Sequence, residues 1–323
     1  MLTDTHGRKF SYLRLSITDV CNFSCDYCLP NGYQCNSDRN FLTTTEISRI
    51  IATFAALGTK KIRITGGEPS LRKDLPEIIA IAKQTPGVET VALTTNGYKL
   101  LDDIDTWLDA GLTSLNVSID SLDPRLFNSI TGHNKLPYIL KGIDRAIALG
   151  CTKIKINSVL MKSFNYQQMD YFYNWLKETP ITIRFIELMQ TGDNLAFFNQ
   201  QHVSGASIQN ELLANGWQEK SREQTSGPAK EYYHQDYAGN IGLIMPYSKD
   251  FCSTCNRLRI SAVGKLHLCL FADEGISLRE TLQQEDSSAL QEKIIQLLGD
   301  KKATHFLHDK LVGATTNLAM LGG

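Results

Sequence analysis

Strand-like and helix-like segments alternate up to residue 187, and this alternation limits the fold more than any other feature of the chain. Segments with alternating polarity predict strands at Tyr12–Ile17, Lys61–Thr65, Thr90–Thr94, Ser114–Ile119, Lys153–Leu160 and Ile181–Glu187. Segments with helical periodicity predict helices at Thr44–Leu57, Asp74–Lys83, Leu100–Ala110, Pro137–Leu149 and Tyr166–Lys177. Successive βα units imply an α/β fold with a parallel sheet, either doubly wound or curled into a barrel.

The polarity of the strands separates these two arrangements. Strands that helices cover on both faces read as almost continuously apolar, whereas these strands alternate and have only one apolar face. The polar face carries several cations: Arg14, Lys61, Arg63 and Lys155. Because cations on an inner face need an anionic ligand, we predict an incomplete (β/α)6 TIM-like barrel with such a ligand in its lumen. An antiparallel sheet with one face exposed to solvent is disfavoured, because helices between successive strands are crossover connections, which join parallel strands.

The chain changes character after residue 190. A polar, irregular stretch with one helix near Gly205–Ala214 leads to short strands over 237–270 and then to a helical segment. We therefore predict two domains, a barrel at 1–190 and a C-terminal region at 191–323.

Composition excludes several classes of protein. The formal net charge is −1, so the chain lacks the overall positive field typical of nucleic-acid binding. Neither a run of about 18 apolar residues nor an apolar N-terminal signal core is present in the sequence. We expect a cytoplasmic protein without membrane contact, in which cysteines stay reduced and serve as ligands or nucleophiles.

Most of the eight cysteines fall into two triplets: Cys21, Cys25, Cys28 and Cys252, Cys255, Cys269. The first triplet has Cys-x3-Cys-x2-Cys spacing and follows the first predicted strand directly. Three thiolates hold three corners of a four-iron cluster and leave one iron open to a small molecule. Structural zinc is the alternative, but it favours four protein ligands, and no fourth Cys or His is adjacent. Cys35 and Cys151 remain, and we expect no ligand role for either.

A glycine-rich segment, Gly66-Gly67-Glu68-Pro69, follows the second predicted strand. Glycines allow a ligand to approach the backbone closely, and the carboxylate of Glu68 accepts hydrogen bonds from an ammonium group. Together with the first cysteine triplet and Tyr27 before its last cysteine, the segment resembles the radical S-adenosylmethionine (SAM) superfamily. That resemblance implies a partial (β/α)6 barrel, in agreement with the alternation of strands and helices.

The second triplet narrows the resemblance. Its Cys-x2-Cys-x13-Cys spacing, the segment Asn256-Arg257-Leu258-Arg259 and the terminal Gly322-Gly323 are similar to the family of GTP 3′,8-cyclases. The resemblance extends over essentially the whole chain. It implies a radical SAM lyase that converts GTP to (8S)-3′,8-cyclo-7,8-dihydroguanosine 5′-triphosphate, the first step of molybdenum cofactor biosynthesis.

The resemblance also implies the ligand sites. Two 4Fe-4S clusters are expected, one on Cys21, Cys25 and Cys28 and one on Cys252, Cys255 and Cys269. The positions that match SAM contacts are Tyr27, Gly67, Glu68, Ser118 and Met189. The positions that match GTP contacts are Arg14, Lys61, Arg63, Thr94, Lys155, Arg257, Leu258 and Arg259. Catalytic roles are expected for Arg257, Arg259, Gly322 and Gly323, the last two on a tail that reaches the active site in the family.

Partners follow from the same resemblance. GTP is the expected substrate, an unidentified reductant supplies electrons, and the product passes to the cyclic pyranopterin monophosphate synthase. Dimerisation is common in the family. One alternative function is another radical SAM enzyme with an auxiliary cluster, which would usually carry more cysteines. The other is a non-catalytic regulator that binds zinc and a nucleotide.

Overall fold

A twelve-stranded sheet organises the computed structural model. The structure describes residues 1–34, 40–192, 194–222, 226–271, 274–284, 286–309, 311–313 and 321. Its strands are β1 (Tyr12–Ser16), β2 (Lys61–Thr65), β3 (Thr90–Thr95), β4 (Ser114–Ser118), β5 (Ile154–Leu160), β6 (Thr182–Glu187), β7 (Gln218–Glu219), β8 (Lys230–Tyr233), β9 (Asn240–Ile244), β10 (Arg257–Ile260), β11 (Lys265–His267) and β12 (Ile276–Ser277). Their order across the sheet is β12-β11-β10-β1-β2-β3-β4-β5-β6-β9-β8-β7.

Helices connect the central strands and continue through the C-terminal region. They are α1 (Thr44–Ala56), α2 (Leu75–Gln84), α3 (Leu100–Asp109), α4 (Pro124–Thr131), α5 (Leu136–Ala148), α6 (Met169–Glu178), α7 (Leu195–Gln201), α8 (Gly205–Ala214), α9 (Arg279–Leu282) and α10 (Ser288–Leu298). None of the helices within the described ranges combines the length and the hydropathy that a membrane crossing requires.

The predicted strands and helices are confirmed to within one or two residues, apart from the segment that begins at Tyr166. There a short 3₁₀ turn, Tyr166–Gln168, precedes α6. The prediction missed α4 and α7, as well as β7 and β8 in the stretch predicted to be irregular and β12 at the start of the segment predicted to be helical. Helix α4 is short, but its start carries a signal, because the carboxylate of Asp123 accepts hydrogen bonds from the backbone N–H groups of Arg125 and Leu126.

The C-terminal region extends the sheet at both edges. β10 pairs in parallel with β1, and β9 pairs in parallel with β6, so eight central strands are parallel instead of the six that were predicted. Antiparallel ribbons flank both edges, namely β11 with β12 and β8 with β7. The sheet is thus open and has the incomplete barrel form that the sequence predicted.

One face of the central strands forms the hydrophobic core. Leu13 and Leu15 of β1 and Ile62 and Ile64 of β2 are fully buried. Each such side chain contributes about 1.5–3 kcal/mol when it leaves water. Since side chains alternate along a strand, the polar residues between them must face the other side of the sheet. The core therefore fixes which side chains point into the lumen.

Candidate functional site

The polar face of the parallel strands lines one large cavity in the lumen. The strand residues in its wall are Tyr12, Arg14, Arg63, Thr65, Thr94, Thr95, Asn116, Ser118, Asn157, Val159, Arg184, Ile186, Ile244, Arg257 and Arg259. Both cysteine triplets line the same cavity. The alternation of the strands therefore placed the polar face correctly, and the fold brings the two triplets to one lumen.

The two triplets lie at opposite ends of the strands. β10 is parallel to β1, and Arg257 pairs with Tyr12 near the amino ends. Cys255 comes just before β10, whereas Cys21 follows the carboxyl end of β1. A five-residue strand with a rise of ~3.3 Å per residue separates these ends by roughly 15 Å. A ligand between the triplets would therefore lie along the polar face.

The loop of the first triplet is anchored by Phe23. This buried ring stacks on His133 with 4.6 Å between ring centroids and meets Phe127 edge to face at 6.3 Å. Nε2 of His133 also hydrogen-bonds to the carbonyl oxygen of Asn22 at 2.7 Å. Packing on α4 and its C-terminal turn therefore holds the cysteines at the mouth of the lumen.

The first-triplet thiols lie in surroundings that favour protonation in the absence of iron. Burial raises the pKa of Cys21 to about 11. Burial and the charge of Asp120 raise the pKa of Cys25 well above its ordinary value. Iron ligation requires thiolates, so assembly of a cluster here must release protons.

The glycine segment packs directly against the residues that lead to Cys21. A Cβ atom on Gly66 would lie 2.2 Å from the carbonyl oxygen of Thr18, and one on Gly67 would lie 2.3 Å from that of Val20. Real Cβ atoms do not approach backbone oxygens this closely, so only glycine permits the contact. Gly67 also donates its backbone N–H to Thr18 O at 2.8 Å.

Glu68 is fully buried and ties two loops together. Its carboxylate accepts hydrogen bonds from the backbone N–H of Ser70 at 3.0 Å, the hydroxyl of Thr95 at 2.7 Å and the backbone N–H of Asn96 at 2.6 Å. Burial raises the pKa of this carboxyl, although the same hydrogen bonds oppose the increase. Glu68 does not line the cavity, so the structure shows it bracing the rim.

Of the positions predicted to contact SAM, four line the cavity: Tyr27, Gly67, Ser118 and Met189. The hydroxyl of Tyr27 donates to Oδ2 of Asp120 at 2.9 Å. Asp120 also accepts from the backbone N–H of Val159 at 2.8 Å, and burial raises its pKa to about 6. Asp120 thereby fixes the ring of Tyr27 beside the first triplet.

The second triplet is assembled by the hairpin of β10 and β11. Arg259 pairs with His267, so Cys255, two residues before β10, and Cys269, two residues after β11, reach the same end of the hairpin. The positive charge of Arg257, with that of Lys301, lowers the pKa of Cys255 to about 7 although burial opposes the change. A thiolate is therefore accessible near neutral pH, which suits a metal ligand.

Arg8 near the N-terminus and the segment 301–303 contact residues in or next to the second triplet. Nε of Arg8 forms an ion pair with Oδ2 of Asp4 at 2.6 Å. Nη1 of Arg8 donates hydrogen bonds to the carbonyl oxygens of Cys252 at 3.1 Å and Ala303 at 2.8 Å. Nζ of Lys301 donates to the carbonyl oxygen of Leu268, beside Cys269. The sequence analysis missed these roles, because the partners are far apart along the chain.

Arginines crowd the lumen between the triplets. Burial, together with the charge of Arg257, lowers the pKa of Arg259 to about 10. Burial and the charge of Arg259 also lower the pKa of Arg14. Nη1 of Arg63 donates to the hydroxyl of Thr94 at 2.9 Å, and its Nε donates to the hydroxyl of Tyr12. Mutual repulsion of this kind marks a site that is short of negative charge and suited to a polyanion.

The two predicted lysines lie near this cluster and outside the immediate cavity wall. Lys61 stands 4.9 Å from the centre of the Tyr12 ring. Lys155 pairs with Oε1 of Glu231 at 3.2 Å, and Arg184 pairs with the same oxygen at 2.6 Å. Sequence alternation had put Arg184 on the polar face without assigning it a role, and nothing in the sequence pointed to Glu231.

Leu258 and the C-terminal tail differ from the remaining predicted sites. The side chain of Leu258 is buried in the hydrophobic core, on the other face of β10 from its arginine neighbours. Gly322 and Gly323 lie outside the described residues, as does Cys35. Leu321 is described, and its carbonyl oxygen accepts a hydrogen bond from Nη1 of Arg259 at 3.0 Å. Cys151 is half-buried, ahead of β5 and away from the cavity wall.

The donor sets fit iron–sulfur clusters. Within the described ranges, no three His, Cys, Asp or Glu side chains converge as a single bound ion requires. A four-iron cluster makes a different demand, since each thiolate binds its own iron. Each triplet supplies three such thiols to the same cavity. Residues that would hold three irons of such a cluster are therefore present at both ends of the lumen.

Family comparisons agree with this arrangement. Residues 15–176 match the radical SAM superfamily, and residues 181–307 match the family described as Molybdenum Cofactor Synthesis C. The solved structure of Streptococcus suis SuiB bound to S-adenosylmethionine is similar in fold, with a TM-score of 0.64 at 13% identity over 91% of this chain and 67% of that one. Fold and site together define a radical SAM protein that binds SAM and iron–sulfur clusters.

Curated relatives identify the family within this class. The chain is 54% identical to the GTP 3′,8-cyclase of Vibrio atlanticus, over 99% of this chain and 97% of the relative. It is 53% identical to that of Yersinia pestis, over 100% and 99%, and 56% identical to that of Vibrio cholerae, over 99% and 97%. The chain belongs to the GTP 3′,8-cyclase family.

Proposed function

We propose that the chain converts GTP to (8S)-3′,8-cyclo-7,8-dihydroguanosine 5′-triphosphate with SAM as co-substrate, the first step of molybdenum cofactor biosynthesis. One observation carries the proposal above all: two cysteine triplets face each other across a lumen that is lined by arginines. The arrangement suits SAM at the first triplet and a polyphosphate nucleotide on the arginines between the triplets. Membership of the GTP 3′,8-cyclase family supports the same reaction.

Cys21, Cys25 and Cys28 would hold the first 4Fe-4S cluster. When bound, this cluster and SAM supply the 5′-deoxyadenosyl radical that removes the C3′ hydrogen of GTP. The chain positions SAM through the residues proposed to contact it: Tyr27, Gly67, Glu68, Ser118 and Met189. Glu68 acts through the rim, because its carboxylate is already engaged by Ser70, Thr95 and Asn96.

Cys252, Cys255 and Cys269 would hold the second 4Fe-4S cluster, which would supply an open iron for the guanine base. The residues proposed to bind GTP are Arg14, Lys61, Arg63, Thr94, Lys155, Arg257, Leu258 and Arg259. A triphosphate carries about four negative charges, and charge-assisted hydrogen bonds to guanidinium groups bind it firmly. For Leu258 the proposal is limited to its backbone, since the side chain lies in the core.

Arg257 and Arg259 are the proposed catalytic side chains, because both line the cavity beside the second triplet. Their charges favour the negative charge that develops as the cyclised nucleotide is reduced. Gly322 and Gly323 are proposed to complete the active site at the tail. The hydrogen bond from Arg259 to Leu321 supports this, since it ties the preceding residue to the lumen.

The wider proposals rest on the family resemblance. They are a two-domain division at 190/191, a cytoplasmic location, an external reductant, transfer of the product to the cyclic pyranopterin monophosphate synthase, and a homodimer. Neither nucleic acid nor membrane is proposed as a partner.

An anaerobic assay with SAM, reductant and either GTP or a peptide tests the reaction. We expect cyclised GTP with the nucleotide and no change in the peptide, and a modified peptide would favour another radical SAM enzyme. Two clusters predict about eight iron and eight sulfide per chain, whereas one or two zinc ions without iron would favour the regulator.

Cysteine variants divide the roles of the two triplets. Cys21→Ser should abolish SAM cleavage, whereas Cys255→Ser should mainly impair GTP turnover. Normal SAM cleavage by the Cys21→Ser variant would contradict the assignment of the first triplet.

A further inference from the structure

An ion pair reaches across a strand at the side of the lumen. Arg184 of β6 and Glu231 of β8 both pair in register with Gly242 of β9, one from each side. Nη2 of Arg184 contacts Oε1 of Glu231 at 2.6 Å, directly over this glycine. A Cβ atom on Gly242 would lie 3.0 Å from Cγ of Arg184 and 3.6 Å from Cγ of Glu231. The gap at Gly242 therefore gives the pair the space to form.

The same carboxylate also binds a second cation. Nζ of Lys155 lies 3.2 Å from Oε1 of Glu231, the oxygen that Arg184 contacts. Burial alone would raise the pKa of Glu231, but the charges of Arg184 and Lys155 hold it at about 2. Glu231 is thus anionic at any physiological pH and partly neutralises two of the lumen's cations.

The pair leaves some of the hydrogen-bonding capacity of Arg184 unused. Arg184 lines the cavity, and its side chain is only 6% exposed. Among the described residues, its Nε atom is buried without a hydrogen-bond partner. A buried donor without a partner costs about 1–3 kcal/mol. An oxyanion with more acceptor oxygens than a carboxylate would satisfy Arg184 better.

We propose that Glu231 is a counter-ion that holds the place of the nucleotide's terminal phosphate on Arg184 and Lys155 and is displaced when GTP binds. The inference rests on the proposed function and deepens it. A phosphate group and the Glu231 carboxylate compete for the same donors, and the phosphate can also reach Nε of Arg184. When the product leaves, Glu231 returns, so the two cations are never buried without an anion.

Binding equilibria test this role without reliance on turnover. GTP and GDP would each be titrated into anaerobically reconstituted wild-type protein, Glu231→Gln and the matched control Glu219→Gln. Glu219 lies on the neighbouring strand β7 and is exposed, so its substitution gives the same change in net charge away from the cavity. E231Q should lower the Kd of GTP at least about threefold because a competing anion is gone. The Kd of GDP should change less, and E219Q should bind both nucleotides like the wild type.

Other results would overturn the inference. If E231Q binds GTP as tightly as the wild type or more weakly, Glu231 serves to orient the cations and does not compete with phosphate. If the Kd of GDP falls as much as the Kd of GTP, the phosphate that replaces Glu231 is not the terminal one. Glu231→Asp keeps the charge on a shorter side chain and should lower the Kd of GTP by a smaller factor than E231Q does. This variant replaces E231Q in the test if E231Q folds poorly. Wild-type protein that does not bind GTP would contradict the proposed function itself.

Discussion

Nη1 of Arg259 donates a hydrogen bond of 3.0 Å to the carbonyl oxygen of Leu321. Arg259 lines the lumen beside the second triplet, whereas Leu321 lies close to the end of the chain. The side chain of Leu321 is 4% exposed and packs in a small cluster with Leu270, Phe271 and Leu307. Leu321 is therefore attached to the lumen through its backbone by Arg259 and through its side chain by an apolar cluster.

Leu321→Ala should release the tail without unfolding the domain. The substitution removes much of a buried side chain, and such truncations cost about 2–5 kcal/mol. Here the loss falls mainly on local docking, because the satellite cluster is small. We expect carboxypeptidase to remove residue 321 and the residues before it from the variant, whereas digestion of the wild type should stop before Leu321 is removed. GTP turnover should fall when the tail is released. Leu311→Ala, at a side chain that is 60% exposed, is the control. Equal digestion of wild type and Leu321→Ala would show that the docking contact is not stable in solution.

Tyr12→Phe should weaken GTP binding through Arg63. The Tyr12 hydroxyl accepts a hydrogen bond from Nε of Arg63, whose Nη1 contacts Thr94. Burial raises the pKa of Tyr12, but the charges of Arg63, Arg14 and Lys61 lower it to about 6, so the hydroxyl is a strong acceptor that orients Arg63. Loss of this acceptor costs about 1–2 kcal/mol, and calorimetric titration should show a matching five- to thirtyfold rise in the Kd of GTP. An unchanged Kd would mean that Thr94 alone orients Arg63.

GTP binding should weaken above pH 8. Burial lowers the pKa of Lys61 and of Lys155 to about 8. The charge of Arg63 adds to this effect at Lys61, and the charge of Arg184 adds to it at Lys155. Both lysines are charged below that pH and lose their protons above it. Above pH 8, binding of a polyphosphate must therefore be accompanied by the uptake of one proton for each lysine that it contacts. The Kd of GTP should rise by up to about tenfold per pH unit for each such lysine. Lys155→Gln should reduce the slope of this dependence, and a Kd that is flat from pH 7 to 9 would contradict a role for both lysines.

Gly67→Ala should disrupt the first triplet from a distance. The new Cβ atom would lie 2.3 Å from Val20 O and 2.6 Å from Asp19 O, both backbone atoms that cannot rotate away. Overpacking of this kind costs about 1–3 kcal/mol, and relief requires movement of the segment that leads to Cys21. We expect a lower midpoint in urea unfolding and loss of about half of the bound iron. Gly150→Ala, where a Cβ atom meets nothing within 4 Å but φ is +83°, should lower the unfolding midpoint through backbone strain and yet retain its iron.

The sequence was most informative where function depends on neighbours along the chain. Alternation along β1 and β2 predicted the lumen face, because a strand fixes the side of every second residue. The spacing of the cysteines singled out two triplets, and the structure brings both to one cavity. Glu231 could not be predicted, since its contact with Arg184 depends on the register of β9 and on the gap at Gly242. The number of parallel strands was underestimated because β9 joins β6 only after two helices and the β7–β8 ribbon, and β10 joins β1 at the opposite edge of the sheet.

The most direct test of the central claim uses GTP that carries deuterium at C3′. In an anaerobic reaction with SAM and reductant, we predict cyclised GTP and 5′-deoxyadenosine that has gained one deuterium per turnover. That result requires the SAM end and the nucleotide end to meet in one lumen, as the facing triplets indicate. Formation of 5′-deoxyadenosine without deuterium, while GTP is recovered unchanged, would contradict the assignment of this cavity as a GTP 3′,8-cyclase active site.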